Sequence, residues 1–263
     1  MTSRGVPSVS VCTTSYNNAH SLEAHFLSVM GALEGFLVEY NVVDNKSSDG
    51  TFSILSALAS AFPNVNIISR RCSRGTGRQI AASVARCSTI LWVDTDTVYL
   101  PRLGELTRRY LQEFSGKGLA LQAMYAGLYP RELWFRVGGT RNLNYAEDLD
   151  LWIRIWTLGK MRWTPVLMGE NLKPSQYQDA EDITYHRYPK SERLRRLARR
   201  EIDLWRLRKY YRMDLEAIWK SCMVDLDLGD LQKQWIGDRQ SWSPRSSARR
   251  VKRDLKRILE SED

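Results

Sequence analysis

The stretch Thr89-Ile90-Leu91-Trp92-Val93, followed directly by Asp94-Thr95-Asp96, indicates the class of fold. Five consecutive apolar or β-branched residues predict a short strand buried on both faces, as in a parallel sheet covered by helices. The two aspartates are two residues apart, so in extended chain their side chains project to the same side. Such carboxylates repel each other unless a cation lies beside them, and Mg²⁺ and Mn²⁺ prefer oxygen ligands. An isolated Asp-x-Asp can also be a solvated turn, but its position after a buried strand favours a metal site.

The rest of the first hundred residues alternates between short apolar runs and segments with helical spacing. This alternation predicts an α/β fold, with a mostly parallel sheet flanked by helices. In such sheets ligands bind outside the carboxyl ends of the strands, so the residues after each strand are the first candidates for a site. The predicted segments are strands at 8–14, 38–43, 65–69 and 89–93 and helices at about 20–33, 51–62 and 77–86.

Two further segments that follow strands offer groups for a nucleotide. Asp44 ends the second strand, where its carboxylate could accept a hydrogen bond from a base or ribose, or could cap the next helix together with Ser47 and Ser48. The segment 74–78, Arg-Gly-Thr-Gly-Arg, reads as a turn into a helix. Backbone N–H groups at a helix start, together with the Arg78 guanidinium, favour a pyrophosphate, although any basic turn has this appearance.

The second half of the chain has an acidic pair at the start of a helix predicted over 147–158. The helix macrodipole favours an ionised carboxylate in the first turn, and an ionised acid at Asp148 can act as a general base. Acids such as Glu147 and Asp148 are equally common in first turns for stability alone. Asp150 and Arg154 are four residues apart, which predicts a structural ion pair along the helix.

Composition excludes several classes of protein. Hydrophobic residues make up 43% of the chain and charged residues 26%, which excludes a disordered or collagen-like protein. No apolar run approaches the roughly 18 residues that a membrane-spanning helix needs. The four cysteines include no Cys-x-x-Cys pair, which argues against a zinc knuckle or a disulfide scaffold and favours a reducing compartment. We therefore expect a cytoplasmic protein.

Charge divides the chain into a nearly neutral body and a basic extension. Of the net charge of +9, residues 1–186 contribute +1 and residues 187–263 contribute +8. We therefore predict one domain over 1–190 and a basic helical extension over 191–263. A basic extension prefers a polyanion, either a nucleic acid or an anionic membrane face.

The extension contains two amphipathic helical patterns, one over 191–212 and one that begins at Ser243-Pro244. These helices either pack on the body with a solvated arginine face, or lie on an anionic membrane, where each basic residue adds about 1 kcal/mol. Several tryptophans and tyrosines favour a membrane interface and equally favour stacking on sugars. The apolar half of the first helix consists of Leu194, Leu197, Ala198, Ile202, Leu204, Trp205 and Tyr211.

Taken in order, five segments resemble the family 2 glycosyltransferases, inverting enzymes of GT-A fold that use nucleotide-sugar donors and a divalent metal. The resemblance covers roughly residues 7–190, with the nucleotide-sugar half at about 1–100 and the acceptor half at about 101–190. One turn departs from the family pattern Asp-Asp-Gly-Ser, since Asn45 and Lys46 replace the second acid and the glycine. The five segments are Val9–Tyr16, Val43–Thr51, Asp94–Asp96, Gly138-Gly139 and Glu147–Arg154.

The resemblance implies a role for individual residues. Asp148 would be the base that takes a proton from the acceptor hydroxyl, and Asp96 would contact a Mn²⁺ or Mg²⁺ ion directly. Asp94 would face the ribose or the metal. The implied donor-binding residues are Thr14, Tyr16, Asp44 and Asp94, to which the basic turn at 74–78, only a loose match to the family, adds Arg78. The implied metal ligands are Asp96, Asp94 and His186, and the expected acceptor-binding residues are Glu147, Trp134 and Gly139.

The implied function is transfer of a sugar, with inversion, from a UDP- or GDP-sugar to a glycan or lipid-linked hydroxyl acceptor. A polyprenyl-phosphate acceptor is the first alternative, but an ionised phosphate needs no base, so the acidic pair favours a hydroxyl. A sugar nucleotidyltransferase would carry a glycine-rich basic loop after the first strand, where this chain has Thr-Ser-Tyr-Asn-Asn at 14–18. A nucleic-acid-binding protein would explain the basic extension but not the ordered acids, which repel phosphates.

Overall fold

The computed structural model describes residues 6–172, 190–207, 215–226, 228 and 256. The predicted helix beginning at Ser243-Pro244, like His186, lies outside this range apart from residue 256. The strands are β1 (Ser8–Ser15), β2 (Leu37–Asp44), β3 (Val65–Ser69), β4 (Thr89–Val93), β5 (Thr97–Tyr99), β6 (Ala120–Met124), β7 (Ala126–Pro130), β8 (Met161–Leu167) and β9 (Gly169–Asn171). The α-helices are α1 (Leu22–Ala32), α2 (Thr51–Ala61), α3 (Arg74–Ser83), α4 (Arg102–Glu113), α5 (Arg131–Arg136), α6 (Glu147–Trp156), α7 (Lys190–Leu207) and α8 (Leu215–Cys222).

Seven strands form one sheet in the order β3-β2-β1-β4-β7-β6-β8. The strands β3, β2, β1 and β4 are parallel to one another, and β7 is antiparallel to both β4 and β6. The pair β6–β8 is again parallel. This confirms the predicted mostly parallel sheet, and the parallel half brings the carboxyl ends of β1, β2 and β4 to one edge.

The alternation of side chains along β4 explains its continuous apolar run. Leu91 and Val93 belong to a core on one face of the sheet, which includes residues of α1, α2 and α4. Ile90 and Trp92 belong to a second core on the other face, with residues of α3, α5 and α6. Because both faces of β4 are covered by helices, every residue of the strand is buried.

The four predicted strands match the observed strands to within one residue at each end. The segment 74–78 is different, because it forms the first turns of α3 rather than a turn before it. Ser73 caps this helix by accepting a hydrogen bond from the Thr76 N–H at 3.1 Å. The glycines permit close packing: a Cβ at Gly75 would lie 1.9 Å from the Arg141 carbonyl oxygen.

The helix α7 corresponds to the first amphipathic pattern of the extension, but part of its described apolar half is exposed. Leu197 is buried, whereas Ile202 is 50% exposed and Trp205 is 67% exposed. Among the α7 side chains that the structure describes, those of Leu197, Arg200, Asp203 and Leu207 are buried. No helix among the described residues is long and apolar enough to cross a membrane, and association with a membrane surface stays a prediction.

The contact between α1 and α4 provides a test of this packing. A Cβ at Gly104 would lie 1.9 Å from the carbonyl oxygen of Ala32, a backbone atom that cannot rotate away. Replacing a helical glycine by alanine ordinarily stabilises by about 1 kcal/mol. For Gly104→Ala we expect instead a free energy of unfolding lower by about 1–3 kcal/mol, as is typical of an overpacked core. Equilibrium urea denaturation measures this difference.

Gly116→Ala is the matched control, since a Cβ there meets no atom within 4 Å. We expect this variant to stay within about 0.5 kcal/mol of the parent chain, as surface substitutions usually do. Equal stability of the two variants would contradict the close approach of α1 and α4.

Candidate active site

A cleft of about 860 Å³ opens at the carboxyl ends of β1, β2 and β4. This is the edge at which ligands bind in open α/β sheets. Residues from the first half of the chain meet residues that lead into α6 there, although they are far apart in sequence. Six predicted site residues line the cleft together: Thr14, Tyr16, Arg78, Asp94, Asp96 and Asp148.

Arg78 connects the two sides of this site. Its Nη2 lies 2.5 Å from Oδ1 of Asp94, and its Nη1 lies 3.0 Å from Oε1 of Glu147. The guanidinium carbon also lies 3.6 Å from the ring centroid of Trp92, a favourable cation–π distance. Only 9% of the Arg78 side chain is exposed. The guanidinium therefore joins the end of β4 to the first turn of α6.

Hydrogen bonds position the Asp94-Thr95-Asp96 segment, which we call the acidic turn. The Asp94 N–H donates to the Tyr99 hydroxyl at 2.9 Å. The Thr95 hydroxyl, which is largely buried, donates to the Thr14 carbonyl at 3.1 Å. These two hydrogen bonds hold the acidic turn in place, and both of its carboxylates line the cleft.

The electrostatics of the acidic turn fit a cation. Burial and the neighbouring Asp96 carboxylate raise the pKa of Asp94, even though Arg78 acts in the opposite direction. A divalent cation beside the two carboxylates would relieve this repulsion. Among the described residues no three His, Cys, Asp or Glu side chains form a metal-binding group. Asp94 and Asp96 would therefore hold a cation together with ligands from outside this part of the chain, such as substrate phosphates.

Asp148 lies in the first turn of α6, and Ala146 immediately before the helix has a left-handed backbone with φ of 57°. Burial and the adjacent Glu147 raise the pKa of Asp148 to about 6. The sequence predicted that the helix dipole would favour the ionised acid, but desolvation outweighs that effect here. At neutral pH a group with this pKa is still mostly ionised, so it can accept a proton.

Glu147 lies beneath the floor of the cleft, whereas the resemblance implied that it contacts the acceptor. Its side chain is 1% exposed and contacts Arg78 and, at 3.9 Å, Nε of Arg74. A buried carboxylate needs a cationic partner, and the two arginines of α3 provide it. Its role in this geometry is therefore to position Arg78.

Trp134 and Gly139 also lie outside the cleft lining. Trp134 is 1% exposed, packs edge-to-face on Trp92 and Tyr129, and donates its indole N–H to Gln79 at 2.9 Å. Gly139 has a positive φ of 60°, and a Cβ there would lie 1.8 Å from Oε1 of Gln79. Both residues support the core beneath the site, and the geometry assigns neither to an acceptor.

Asp44 is 1% exposed and does not line the cleft. Its carboxylate accepts a hydrogen bond from the Ser47 N–H at 3.2 Å, which is the turn-capping alternative. Contact with a base stays a prediction. The structural pair Asp150–Arg154 is confirmed, with Oδ2 and Nη2 2.6 Å apart and Asp150 fully buried.

Several residues that line the cleft were not predicted from the sequence. The segment that leads into α6 contributes Asn144 and Tyr145. The chain after β9 passes beside the acidic turn, where the Leu172 N–H donates to the Asp96 carbonyl at 2.7 Å. The helix α7 adds Arg195, Arg199, Arg200 and Arg206 to the lining. No motif marks these positions, and only the basic composition of the extension could have indicated the arginines.

Comparison with known proteins identifies the family. Residues 10–158 match the family model described as glycosyl transferase family 2, which is more than half of the chain. The chain belongs to this family. No curated protein matches the sequence.

Solved structures share the fold at low sequence identity. A mannosyltransferase of Pyrobaculum calidifontis, solved with GDP-Man and Mn²⁺, has a TM-score of 0.55 at 18% identity, over 65% of this chain and 58% of that one. TarS of S. aureus, solved with UDP-GlcNAc, has a TM-score of 0.53 at 16% identity, over 62% and 57%. Glucosyl-3-phosphoglycerate synthase of Mycobacterium tuberculosis, solved with Mn²⁺, UDP and glucosyl-3-phosphoglycerate, has a TM-score of 0.51 at 16% identity, over 65% and 74%. The predicted GT-A fold is confirmed, and the matched region spans less than three-fifths of the first two proteins.

The Arg78–Glu147 contact gives a prediction about stability. Removing one partner of a buried ion pair typically costs about 3–5 kcal/mol. Because Arg78 keeps Asp94 as a second partner, we expect Glu147→Ala to lower the free energy of unfolding by about 2–3 kcal/mol. Urea denaturation at neutral pH provides the measurement.

Glu132→Ala is the control, because Glu132 forms an exposed i,i+4 pair with Arg136. Exposed pairs are worth less than about 1 kcal/mol. If Glu147→Ala were as stable as this control, our assignment of Glu147 as the residue that positions Arg78 would be wrong.

Proposed function

We propose that this protein transfers a sugar from a nucleoside-diphosphate sugar to a hydroxyl acceptor, with inversion and with the help of a divalent cation. The observation that carries the proposal is the presence of Asp148, an acid with its pKa raised to about 6, in the same cleft as Asp94 and Asp96. Membership of glycosyl transferase family 2 supports it. The complexes of similar folds with GDP-Man or UDP-GlcNAc also support a nucleotide-sugar donor.

The donor would bind along the edge formed by β1, β2 and β4. Thr14 and Tyr16 line this part of the cleft and are assigned to the nucleoside. Arg78 is already engaged by two carboxylates, so its role is to position Asp94 and the first turn of α6. Arg74 lines the same wall with 46% of its side chain exposed, which makes it the better candidate to contact the diphosphate.

Asp94 and Asp96 would hold the cation. When bound, a divalent cation supplies positive charge that stabilises the leaving diphosphate. The hydrogen bonds that fix the acidic turn keep the two carboxylates directed into the cleft. Mn²⁺ and Mg²⁺ both accept such oxygen ligands.

Asp148 would act as the general base. Its carboxylate takes the proton from the acceptor hydroxyl as that oxygen forms a bond to the anomeric carbon. The bond from the anomeric carbon to the diphosphate breaks on the opposite face, which inverts the configuration. The buried, ion-paired Glu147 below keeps Arg78 in place but has no direct part in this proton transfer.

Asp148→Asn tests the base directly. General-base assistance is typically worth about 10²–10⁴ in rate, so we expect kcat to fall by at least about 10²-fold. Affinity for the donor should change little, because the substitution keeps the size of the side chain. Diphosphate release from UDP- and GDP-sugars in the presence of Mn²⁺ measures turnover, and calorimetry measures nucleotide binding. Full activity of this variant would favour an acceptor that is already ionised, such as a polyprenyl phosphate.

Asp225→Asn is the control for the loss of one carboxylate, because Asp225 is exposed and does not line the cleft. We expect it to retain the activity of the parent chain.

The raised pKa of Asp148 also predicts a pH profile. A base works only when deprotonated, so kcat should be steady at neutral pH and fall as the pH drops through about 6. Turnover measured between about pH 4.5 and about pH 8 would show this fall in kcat. A profile without any fall in the acid range would contradict the assignment of Asp148.

Asp96→Ala tests the cation site. We expect this variant to lose the Mn²⁺ dependence of nucleotide binding, since a carboxylate ligand is removed. Titration of UDP and GDP with and without Mn²⁺ measures the effect. Binding by the parent chain that does not depend on metal would contradict the cation site.

A further inference from the structure

Three arginines of α7 form a row along the cleft. We call Arg195, Arg199 and Arg206 the arginine row; all three line the cleft together with Ile202. Residues three and four apart lie on the same face of a helix, so the spacing 195, 199, 202 and 206 defines one continuous stripe. The row therefore presents several guanidinium groups to one wall of the cleft.

The adjacent face of α7 anchors the helix to the body. Leu197 and Leu207 are buried, and so is Asp203 at 4% exposure. The Asp203 carboxylate accepts a hydrogen bond from the Asn144 N–H at 2.8 Å. Asn144 lies three residues before α6, which begins with the acidic pair. The arginine row is thereby held on the side of the cleft where the proposed base lies.

A fourth arginine strengthens this wall. Arg200 lines the cleft although it is only 5% exposed, and its Nε lies 3.0 Å from Oε1 of Glu201. Burying a guanidinium is unfavourable unless anionic groups compensate for lost hydration. Arg200 therefore adds a buried, ion-paired guanidinium to the wall that carries the arginine row.

The described part of the cleft lining is more cationic than anionic. Among the residues that the structure describes, the lining has eight cationic side chains and four carboxylates. Counting Glu147 below the floor and Glu201 beside Arg200 still leaves an excess of positive charge. A nucleoside-diphosphate sugar with a divalent cation is close to neutral, because the cation balances the charge on the phosphates. The cationic side chains are Lys46, Arg71, Arg74, Arg78, Arg195, Arg199, Arg200 and Arg206, and the carboxylates Asp94, Asp96, Asp148 and Asp203.

We infer that the acceptor carries a phosphate group, separate from the hydroxyl that attacks, and that the arginine row binds this phosphate. Guanidinium groups recognise phosphate oxygens through paired hydrogen bonds. The inference rests on the proposed function, since it names the class of acceptor for the same cleft. The phosphate belongs either to a soluble phosphorylated compound or to a lipid headgroup.

The test uses the full chain and simple phosphate probes. Inorganic phosphate, glycerol 3-phosphate and uncharged glycerol are titrated by calorimetry into the protein, both free and saturated with UDP or GDP and Mg²⁺. We expect the two phosphate compounds to bind and glycerol not to bind. In the triple variant R195Q/R199Q/R206Q the affinity for phosphate should fall at least about tenfold, since charged hydrogen bonds are removed.

Two further variants control this result. Arg136→Gln removes an exposed arginine outside the cleft and should leave phosphate affinity unchanged. Arg199→Lys keeps the charge without the paired geometry and should lie between the parent chain and the triple variant. Urea denaturation of each variant verifies that the fold is retained, and Arg199→Lys remains informative if the triple variant does not fold.

Vesicles distinguish the two sources of phosphate. Co-sedimentation with vesicles of phosphatidic acid but not phosphatidylcholine, lost in the triple variant, would assign a lipid headgroup. Binding of glycerol 3-phosphate without any vesicle binding would assign a soluble acceptor. The inference is overturned if the triple variant binds phosphate as the parent chain does, or if it loses affinity for UDP or GDP instead. Failure of the proposed function is a separate result, since it appears either as absent turnover in the parent chain or as full activity of Asp148→Asn.

Discussion

The buried guanidinium of Arg78 lies between two carboxylates and an indole ring, and the geometry of the cleft depends on it. Asp94 belongs to the turn after β4, and Glu147 belongs to the first turn of α6. Because 53 residues separate these acids in the sequence, no local interaction could bring them together. The ion pairs compensate for the burial of Arg78 and Glu147, and they connect the acidic turn to the first turn of α6, which contains Asp148.

The same contact shapes the electrostatics of the site. Burial raises the pKa values of Asp94 and Asp148, and neighbouring acids raise them further. Arg78 opposes both shifts, so the cleft can hold several acids without all of them being protonated. In the proposed function, one acid pair would hold a cation and a separate acid would accept a proton. The helix α7 adds four arginines to the lining, so acidic and basic side chains line the same cleft.

Part of the domain could be predicted from hydrophobic periodicity and local sequence pattern. The strands β1 to β4 were predicted to within one residue because apolar runs bounded by turn residues are a local property. Asp94, Asp96 and Asp148 line the cleft as expected, because each follows or begins a predictable element. The residues expected to contact the acceptor lie below the cleft surface instead, because the direction of a side chain depends on what packs around it. These residues are Trp134, Gly139 and Glu147. Asp44 is also buried and does not line the cleft, because its carboxylate accepts a hydrogen bond from the Ser47 N–H.

Local sequence patterns were enough to predict strands β1 to β4, the family resemblance and the acids at the strand ends, since these depend on residues close together in the chain. Only the tertiary structure decided which groups share the cleft. The pairing of Arg78 with Glu147 and the return of α7 over the site bring together residues far apart in sequence. A helical wheel for α7 indicated an apolar half, but the buried face includes Arg200 and Asp203, because the helix packs beside a polar cleft rather than on an apolar core.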